Sequence, residues 1–205
     1  MMRKPMLLSS ISGRGCHREV IGLIGAHPGA GVTYTGLLLS FYLGEELGRR
    51  TVFAECNGHQ DFGRLQQAYL WNREEEFSFS FGNITFHKNV TAERIPSLLG
   101  EDYDDIILDF GYDLYTNKEE FRRCDRKLVL GGWTEWNLRK LGSFAENVLA
   151  IKGNETWNYL LPFAEKKTIQ FMQQKYNRKF YPISLEPDPL KLSKETRKLF
   201  LGLLE

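Results

Sequence analysis

The chain contains 205 residues, enough for one domain with a sizeable hydrophobic core. Its 27 Lys and Arg residues nearly balance its 26 Asp and Glu residues, and the net charge of +1 removes the usual electrostatic reason to expect a nucleic-acid binder. Hydrophobic residues make up 42% and charged residues 26% of the sequence, a globular composition that argues against disorder.

No feature of the sequence predicts export or membrane insertion. No apolar run approaches the roughly 18 residues that a membrane-spanning helix needs, and the run over 5–8 is too short for the core of a secretory signal. The three cysteines, Cys16, Cys56 and Cys124, are widely spaced and odd in number, which indicates no disulfide framework. We therefore expect a soluble, cytoplasmic protein.

The first part of the chain predicts a strand, a glycine-rich turn and a helix. Residues 1–19 are polar and contain glycine, and we predict that they form a loosely ordered lead-in to a single domain over 20–205. Residues 20–25 are apolar or glycine, without polar alternation, which is typical of a parallel strand buried on both faces. A glycine-rich turn over 26–31 follows, and apolar residues then recur at helical spacing over 32–47.

The rest of the chain repeats this alternation of strands and helices. We predict strands over 51–54, 77–81, 84–87, 106–108, 127–130, 157–161 and 180–183, and helices over 62–71, 91–99, 135–149, 163–176 and 193–204. Such an order indicates βαβ units, and hence a three-layer α/β fold with a mainly parallel central sheet flanked by helices. Ligand sites in sheets of this kind lie at the carboxyl ends of the strands.

The turn between the first strand and the first helix partly matches a phosphate-binding loop. In the motif G-x-x-x-x-G-K-[ST], Ala26 stands at the first glycine, Gly31 at the second, Val32 at the lysine and Thr33 at the hydroxyl residue. Glycines let backbone N–H groups point inward, and the helix amino terminus adds positive potential, so the context suits an anion. Valine cannot neutralise phosphate charge, however, and a tight turn without a ligand is an equal alternative.

Further segments, taken in chain order, resemble a known family. Residues 27–33 read H-P-G-A-G-V-T, Glu55 and Asn57 follow the next predicted strand, and residues 103–109 read Y-D-D-I-I-L-D. This order is similar to the MinD/ParA family of P-loop ATPases (the deviant Walker A, or SIMIBI, class), whose segments read K-G-G-V-G-K-T, D-x-D and Y-D-x-I-I-x-D. The resemblance covers residues 20–204 and implies the Rossmann-like P-loop NTPase fold.

The resemblance also implies a set of site residues. Nucleotide would lie against Gly29, Ala30, Gly31, Val32, Thr33 and Tyr34, and Mg²⁺ would lie at Thr33 and Asp109. Both family lysines are replaced, by His27 and Val32, and Glu55 and Asn57 replace the switch aspartates. Because phosphoryl transfer depends on positioning and on charge neutralisation, we expect at most weak binding of ATP or ADP with Mg²⁺ and no efficient turnover, and we assign no catalytic residue.

Three functions follow from these observations. The first is a degenerate MinD/ParA-like protein that acts as a localisation, assembly or regulatory scaffold, as the resemblance to the pilus- and secretion-associated branches of the family implies. The second is an active but unconventional ATPase that takes its cation from Arg14, Arg18 or Arg139. The third is an interaction module that needs no nucleotide.

The remaining signals bear on partners. We expect an unidentified protein partner, with a homodimer also open, and neither nucleic acid nor membrane is indicated, because the amphipathic helix over 193–204 is expected to pack on the sheet. The aromatic residues near strand ends are predicted either to form an interaction surface or to fill the core, with equal weight; they are Phe110, Tyr112, Trp133, Trp136 and Trp157.

Two short motifs are interpreted as coincidences. Asp109-Phe110-Gly111 is found in protein kinases, but no other kinase motif accompanies it. Cys56 and His59 have metal-ligand spacing, but no second pair of ligands lies at a suitable distance in the sequence.

Overall fold

The structure is a computed structural model that describes residues 18–70 and 76–205. Its centre is an eight-stranded sheet with the order β3-β4-β2-β5-β1-β6-β7-β8, in which every neighbouring pair is parallel except the β3–β4 hairpin. The strands are β1 (Glu19–Gly25), β2 (Thr51–Glu55), β3 (Ser78–Phe81), β4 (Ile84–His87), β5 (Asp105–Asp109), β6 (Arg126–Leu130), β7 (Asn158–Pro162) and β8 (Lys179–Ile183). The predicted mainly parallel sheet is confirmed.

Helices cover both faces of this sheet. They are α1 (Val32–Phe41), α2 (Asp61–Leu70), α3 (Ile95–Leu99), α4 (Leu114–Arg123), α5 (Glu135–Asn147), α6 (Lys166–Tyr176) and α7 (Lys194–Leu204). One cluster of buried apolar side chains packs α1, α2 and α7 against one face of the sheet. A second cluster packs α3, α4, α5 and α6 against the other face. The fold is therefore the three-layer α/β arrangement. No described helix is long and apolar enough to cross a lipid bilayer.

The first strand and helix lie where the sequence predicts them. β1 pairs in parallel with β5 on one side and with β6 on the other, as expected of a strand buried on both faces. The helix predicted over 32–47 is observed as α1, continued by a π-helical turn over Tyr42–Glu46. A Cβ at residue 44 would lie 2.4 Å from Ile84 Cγ1, so glycine at this position lets the turn approach β4 closely.

Some predicted bounds are wrong. Only Ile95–Leu99 of the helix predicted over 91–99 is helical, with a proline in its first turn, and residues 92–94 form a turn. The helix predicted from residue 163 begins at Lys166, because the φ of +56° at Phe163 is incompatible with a right-handed helix. Glu19 already belongs to β1, while the rest of the predicted lead-in up to residue 17, and Trp71, lie outside the described residues.

Helix α4 is absent from the elements predicted above. Its ten residues bury only Leu114 and Phe121, too few apolar side chains to produce a helical period. The sequence signal that could have predicted the start of this helix is its N-cap residue, because Asp113 accepts a hydrogen bond from the Thr116 N–H at 3.1 Å. Phe121 anchors the helix through edge-to-face contacts with Phe110 and Trp157.

The amino edge of the sheet holds a buried ion pair. Asp105, at the start of β5, is fully buried, and the half-buried Arg49 places its Nε 2.7 Å from Asp105 Oδ2. Burial raises the pKa of Asp105 to about 7, although the positive charge of Arg49 acts in the opposite direction. The folded protein therefore binds a proton at this carboxyl that the unfolded chain releases at a much lower pH.

This carboxyl predicts a pH dependence of stability. Between about pH 4 and pH 7 the folded state holds more protons than the unfolded state, so the free energy of unfolding falls as the pH rises. Asp105→Asn is expected to be more stable than the wild type at about pH 8, by on the order of 2 kcal/mol, and the difference shrinks toward about pH 4. Urea unfolding across this pH range measures it. The exposed Asp102→Asn serves as the control, and a wild-type slope unchanged by Asp105→Asn contradicts the prediction.

Candidate functional site

The loop between β1 and α1 leaves open space beside its two glycines. Gly29 and Gly31 have φ values of +74° and +89°, in the left-handed region that favours glycine, and no atom would lie within 4 Å of a Cβ at either position. Gly31 is the N-cap of α1, which therefore has no side-chain cap and carries no acidic residue in its first turn. The first N–H groups of a helix have no partner within the helix, so this end of α1 is suited to an anion.

Three of the predicted nucleotide-binding residues use their side chains elsewhere. Ala30 and Val32 are buried in the hydrophobic cluster between α1 and the sheet. The Tyr34 hydroxyl donates to the backbone carbonyl of Glu186 and accepts a hydrogen bond from the Glu186 N–H at 3.1 Å. Val32 and Tyr34 therefore have their backbone N–H groups, rather than their side chains, to offer a phosphate, whereas the Ala30 N–H already donates to the His27 carbonyl at 3.3 Å.

The predicted magnesium residues are in direct contact. The Thr33 hydroxyl donates to Asp109 Oδ2 at 2.7 Å, and Asp109 ends β5, the strand beside β1. Asp109 Oδ1 accepts from Asn57 Nδ2 and from the Gly111 N–H, each at 2.9 Å. Burial raises the pKa of Asp109, while the hydrogen bonds from Thr33 and Gly111 act to lower it. All three donors are uncharged groups.

This contact bears on whether the site suits Mg²⁺. A threonine hydroxyl and a carboxylate are oxygen ligands of the kind that Mg²⁺ prefers, and they stand side by side at the end of the loop. Magnesium sites commonly combine one or two carboxylates with phosphate oxygens and water. Thr33 and Asp109 therefore fit Mg²⁺ that arrives with a bound phosphate.

The residues at the switch positions serve the fold. Glu55 is buried at the end of β2, and its Oε1 accepts from the backbone N–H groups of Asp61 at 2.6 Å and Phe62 at 3.3 Å. It thus caps the first turn of α2. Burial raises the pKa of Glu55, and the N–H groups of Phe62 and Asp61 oppose that rise. Asn57 also donates to the Asp109 carbonyl at 3.1 Å, so the β2–α2 loop is anchored at both ends.

His27 stands where the family segment K-G-G-V-G-K-T begins with a lysine. Its ring is buried, and Nδ1 lies 2.8 Å from the carbonyl of the adjacent Pro28. Nε2 has no hydrogen-bond partner among the residues that the structure describes. The side chain is therefore folded onto its own loop, a position from which it does not extend as a lysine would.

Of the cations considered as replacements for the missing lysine, Arg18 and Arg139 lie at different distances from the loop. Arg18 is excluded, because it precedes the amino end of β1 and its guanidinium donates to the carbonyls of Leu99, Glu101 and Tyr103. Arg139 lines a groove that reaches Ala26 of the loop, and Arg14 lies outside the described residues. Arg64, for which the sequence carries no signal, lies with Thr33 in the wall of a hollow of about 330 Å³ between α1 and α2. Arg64 already pairs with Asp61 at 2.6 Å.

A second cavity adjoins the loop at the carboxyl edge of the sheet. It encloses about 300 Å³ beside Gly29 and Gly31, and Trp133 and Phe163 contribute to its wall. These two exposed rings meet edge to face with centroids 6.2 Å apart. The alternatives left open for the aromatic residues thus both occur: Phe110 and Trp157 are core residues, whereas Tyr112, Trp133 and Trp136 are exposed.

The two cysteines among the described residues give no sign of reactivity or metal binding. Cys56 and Cys124 are buried free thiols, and burial raises the pKa of both. Within residues 18–70 and 76–205, no cluster of His, Cys, Asp and Glu could hold a metal ion.

The central strand of the mainly parallel sheet leads through a glycine loop into a helix, and the hydroxyl residue at the start of this helix is hydrogen-bonded to the aspartate that ends the neighbouring strand. This arrangement defines a P-loop-type α/β protein. Its fold is MinD/ParA-like. Similar solved structures include a Borrelia burgdorferi plasmid partition protein bound to AMPPNP (TM-score 0.67, 13% identity, 92% of this chain and 97% of that chain covered). A ParA family ATPase from Chlorobium tepidum is also similar, with a TM-score of 0.66, 14% identity, and 93% of this chain and 99% of that chain covered. The MinD cell division protein of Aquifex aeolicus has a TM-score of 0.67 and 12% identity, with 90% of this chain and 97% of that chain covered. No family model and no curated protein matches the sequence.

Proposed function

We propose that this chain is a degenerate member of the MinD/ParA group, which acts as a scaffold in localising or assembling other proteins and binds ATP or ADP with Mg²⁺ weakly or not at all. The observation that carries the proposal is the composition of the loop and its surroundings. The side chain at the lysine position is a buried valine, and the buried Asp109 is satisfied by neutral donors.

The chemistry of phosphoryl transfer supports this proposal. The reaction needs cations that neutralise the phosphate oxygens as their charge is redistributed in the transition state. In this chain the glycine cradle and the Thr33–Asp109 pair are present, but the glycine loop itself carries neither lysine nor arginine. Such a site has the geometry for a phosphate and lacks the charge for its transfer.

The rival function, an unconventional ATPase, has one observation in its favour. Arg64 and Arg139 each line a cavity that reaches the loop, through Thr33 and Ala26 respectively. Either guanidinium would have to reach a bound phosphate to substitute for the lysine. Arg64 would first have to leave Asp61. We therefore treat turnover as the outcome that would overturn the proposal.

Calorimetric titration with ATP and Mg²⁺, together with an assay of phosphate release, tests the proposed function. We expect no release above the blank and a dissociation constant no tighter than about 1 mM. Turnover at ordinary enzyme rates of about 1 per second or more, abolished in Asp109→Asn, would refute the scaffold proposal.

A matched pair of glycine variants locates any binding that is observed. Gly31→Val and Gly48→Val both place a side chain at a positive φ with open space around it, but only residue 31 lies in the loop. Loss of binding in Gly31→Val alone indicates a scaffold that senses nucleotide at the loop. Equal loss in both variants indicates a general effect of backbone strain on folding. The absence of any binding in the wild type supports the nucleotide-free form of the scaffold.

A further inference from the structure

Helices α4 and α5 leave a groove between them at the surface. The groove has a volume of about 690 Å³, and Leu114, Phe144 and Val148 contribute apolar side chains to it. Tyr112, Tyr115 and Trp136 line it as well, and all three rings are exposed, Tyr115 by 85%. Exposed aromatic side chains around a concave apolar surface are typical of protein-binding sites.

The charges that line this groove are of one sign. Lys118, Arg139 and Lys140 contribute to its wall, and no aspartate or glutamate does. Within the described part of the chain, none of these three cations forms an ion pair, whereas Arg122 and Arg123 of α4 each pair with a glutamate of the same helix. Since the whole chain carries a net charge of only +1, the positive potential here is a local feature of the groove.

We propose that this groove binds an acidic segment of a partner protein, one that inserts apolar or aromatic side chains between α4 and α5 and places carboxylates against Lys118, Arg139 and Lys140. Apolar burial would supply affinity, and charge complementarity would set the orientation and exclude basic partners. The proposal concerns a surface beside the glycine loop and stands whether or not that loop binds nucleotide.

A protein segment fits the groove better than a nucleic acid does. Nucleic acid needs a basic track along which successive phosphates lie. Here the cations stand around a concave hollow instead of along a track. Leu114, Phe144 and Val148 in its lining match the aliphatic and aromatic side chains of a protein segment, and a nucleic acid has no aliphatic side chains to place there.

The groove is connected to the residues of the candidate site. Tyr112 stacks on His59 of the β2–α2 loop, with ring centroids 5.4 Å apart and planes inclined by 13°. Its neighbour Gly111 donates to Asp109 Oδ1 at 2.9 Å. A partner that covers Tyr112 would therefore touch the segment that holds Asp109 in place.

The test uses the full chain and a synthetic peptide in which Glu and Asp alternate with Leu and Phe. The peptide has the length of α5, which is 13 residues. Binding is measured by calorimetry and by the change in tryptophan fluorescence. We expect the acidic peptide to bind, and the same peptide with Lys in place of Glu and Asp not to bind. Arg139→Glu combined with Lys140→Glu is expected to weaken binding by roughly tenfold or more, and Trp136→Ala by a similar factor.

A charge-matched variant provides the control. Lys194→Glu combined with Lys198→Glu reverses two exposed charges on α7, which packs on the opposite face of the sheet, and it is expected to bind like the wild type. Thermal unfolding confirms that every variant is folded. Equal weakening in both double variants, no binding of the acidic peptide, or tighter binding of a DNA duplex, of a single-stranded oligonucleotide or of the Lys peptide would each overturn the proposal.

Discussion

Asp109→Ala is expected to lower the free energy of unfolding by about 3 kcal/mol or more. The substitution removes the acceptor of the Thr33 hydroxyl, the Asn57 amide and the Gly111 N–H at a fully buried position. A buried donor that is left without an acceptor costs about 1–3 kcal/mol, and the lost side-chain volume adds a cavity. Urea unfolding near neutral pH measures the loss.

Asp109→Asn is the matched control. Its amide oxygen can keep the bonds from Asn57 and Gly111, while its NH₂ donates to the Thr33 oxygen in place of the present bond. Because burial raises the pKa of Asp109, a neutral side chain also removes the cost of a buried charge. We expect a change of no more than about 1 kcal/mol. A large loss in both variants, or in neither, would show that the hydrogen-bond network does not stabilise the fold in this way.

Val32→Lys is expected to tighten binding of ATP with Mg²⁺ by roughly tenfold to a hundredfold. Each hydrogen bond to a charged group contributes about 1.5–3 kcal/mol, and the loop supplies the rest of the cradle through Gly29, Gly31 and Thr33. Turnover is expected to stay at the blank, because Glu55 caps α2 and Asn57 holds Asp109. Calorimetry and phosphate release measure the two quantities separately.

The control for this gain is Val32→Met. Methionine has a long unbranched side chain without a charge, so it reproduces the disturbance of the core around residue 32 but adds no cation. An equal change in both variants would mean that repacking, rather than charge, alters affinity. A wild type that already binds as tightly as Val32→Lys would point to a cation from elsewhere in the chain, with Arg64 and Arg139 as the first candidates.

Local patterns predicted the part of the site that local geometry determines. An apolar run, two glycines and a helical period predict β1, the loop and α1, whereas the family resemblance is what predicted Asp109 beside Thr33. The kinase-like Asp-Phe-Gly segment is explained by the same geometry. Phe110 is buried in the core, and Gly111, with φ +62°, turns its N–H back toward the aspartate.

Features that depend on distant contacts could not be predicted. Glu55 stands at a switch position in the sequence, and only the approach of α2 shows that its carboxylate serves as a cap. The exposed aromatic residues differ from the buried ones by their neighbours alone: Trp157 meets Phe121, whereas Trp136 lies on the outer part of α5 beside a groove. Helix α4 was missed because its few apolar residues are sufficient only once the sheet is present to bury them.

The β2–α2 loop is restrained at both of its ends. Glu55 fixes the end at which α2 begins, and Asn57 fixes the start of the loop to β5. A segment held at both ends by buried acceptors has little freedom to change shape, so it acts as a rigid strut between β5 and α2. Because Asp109 holds both Asn57 and Thr33, a load placed on the glycine loop would be carried into this strut rather than absorbed by it.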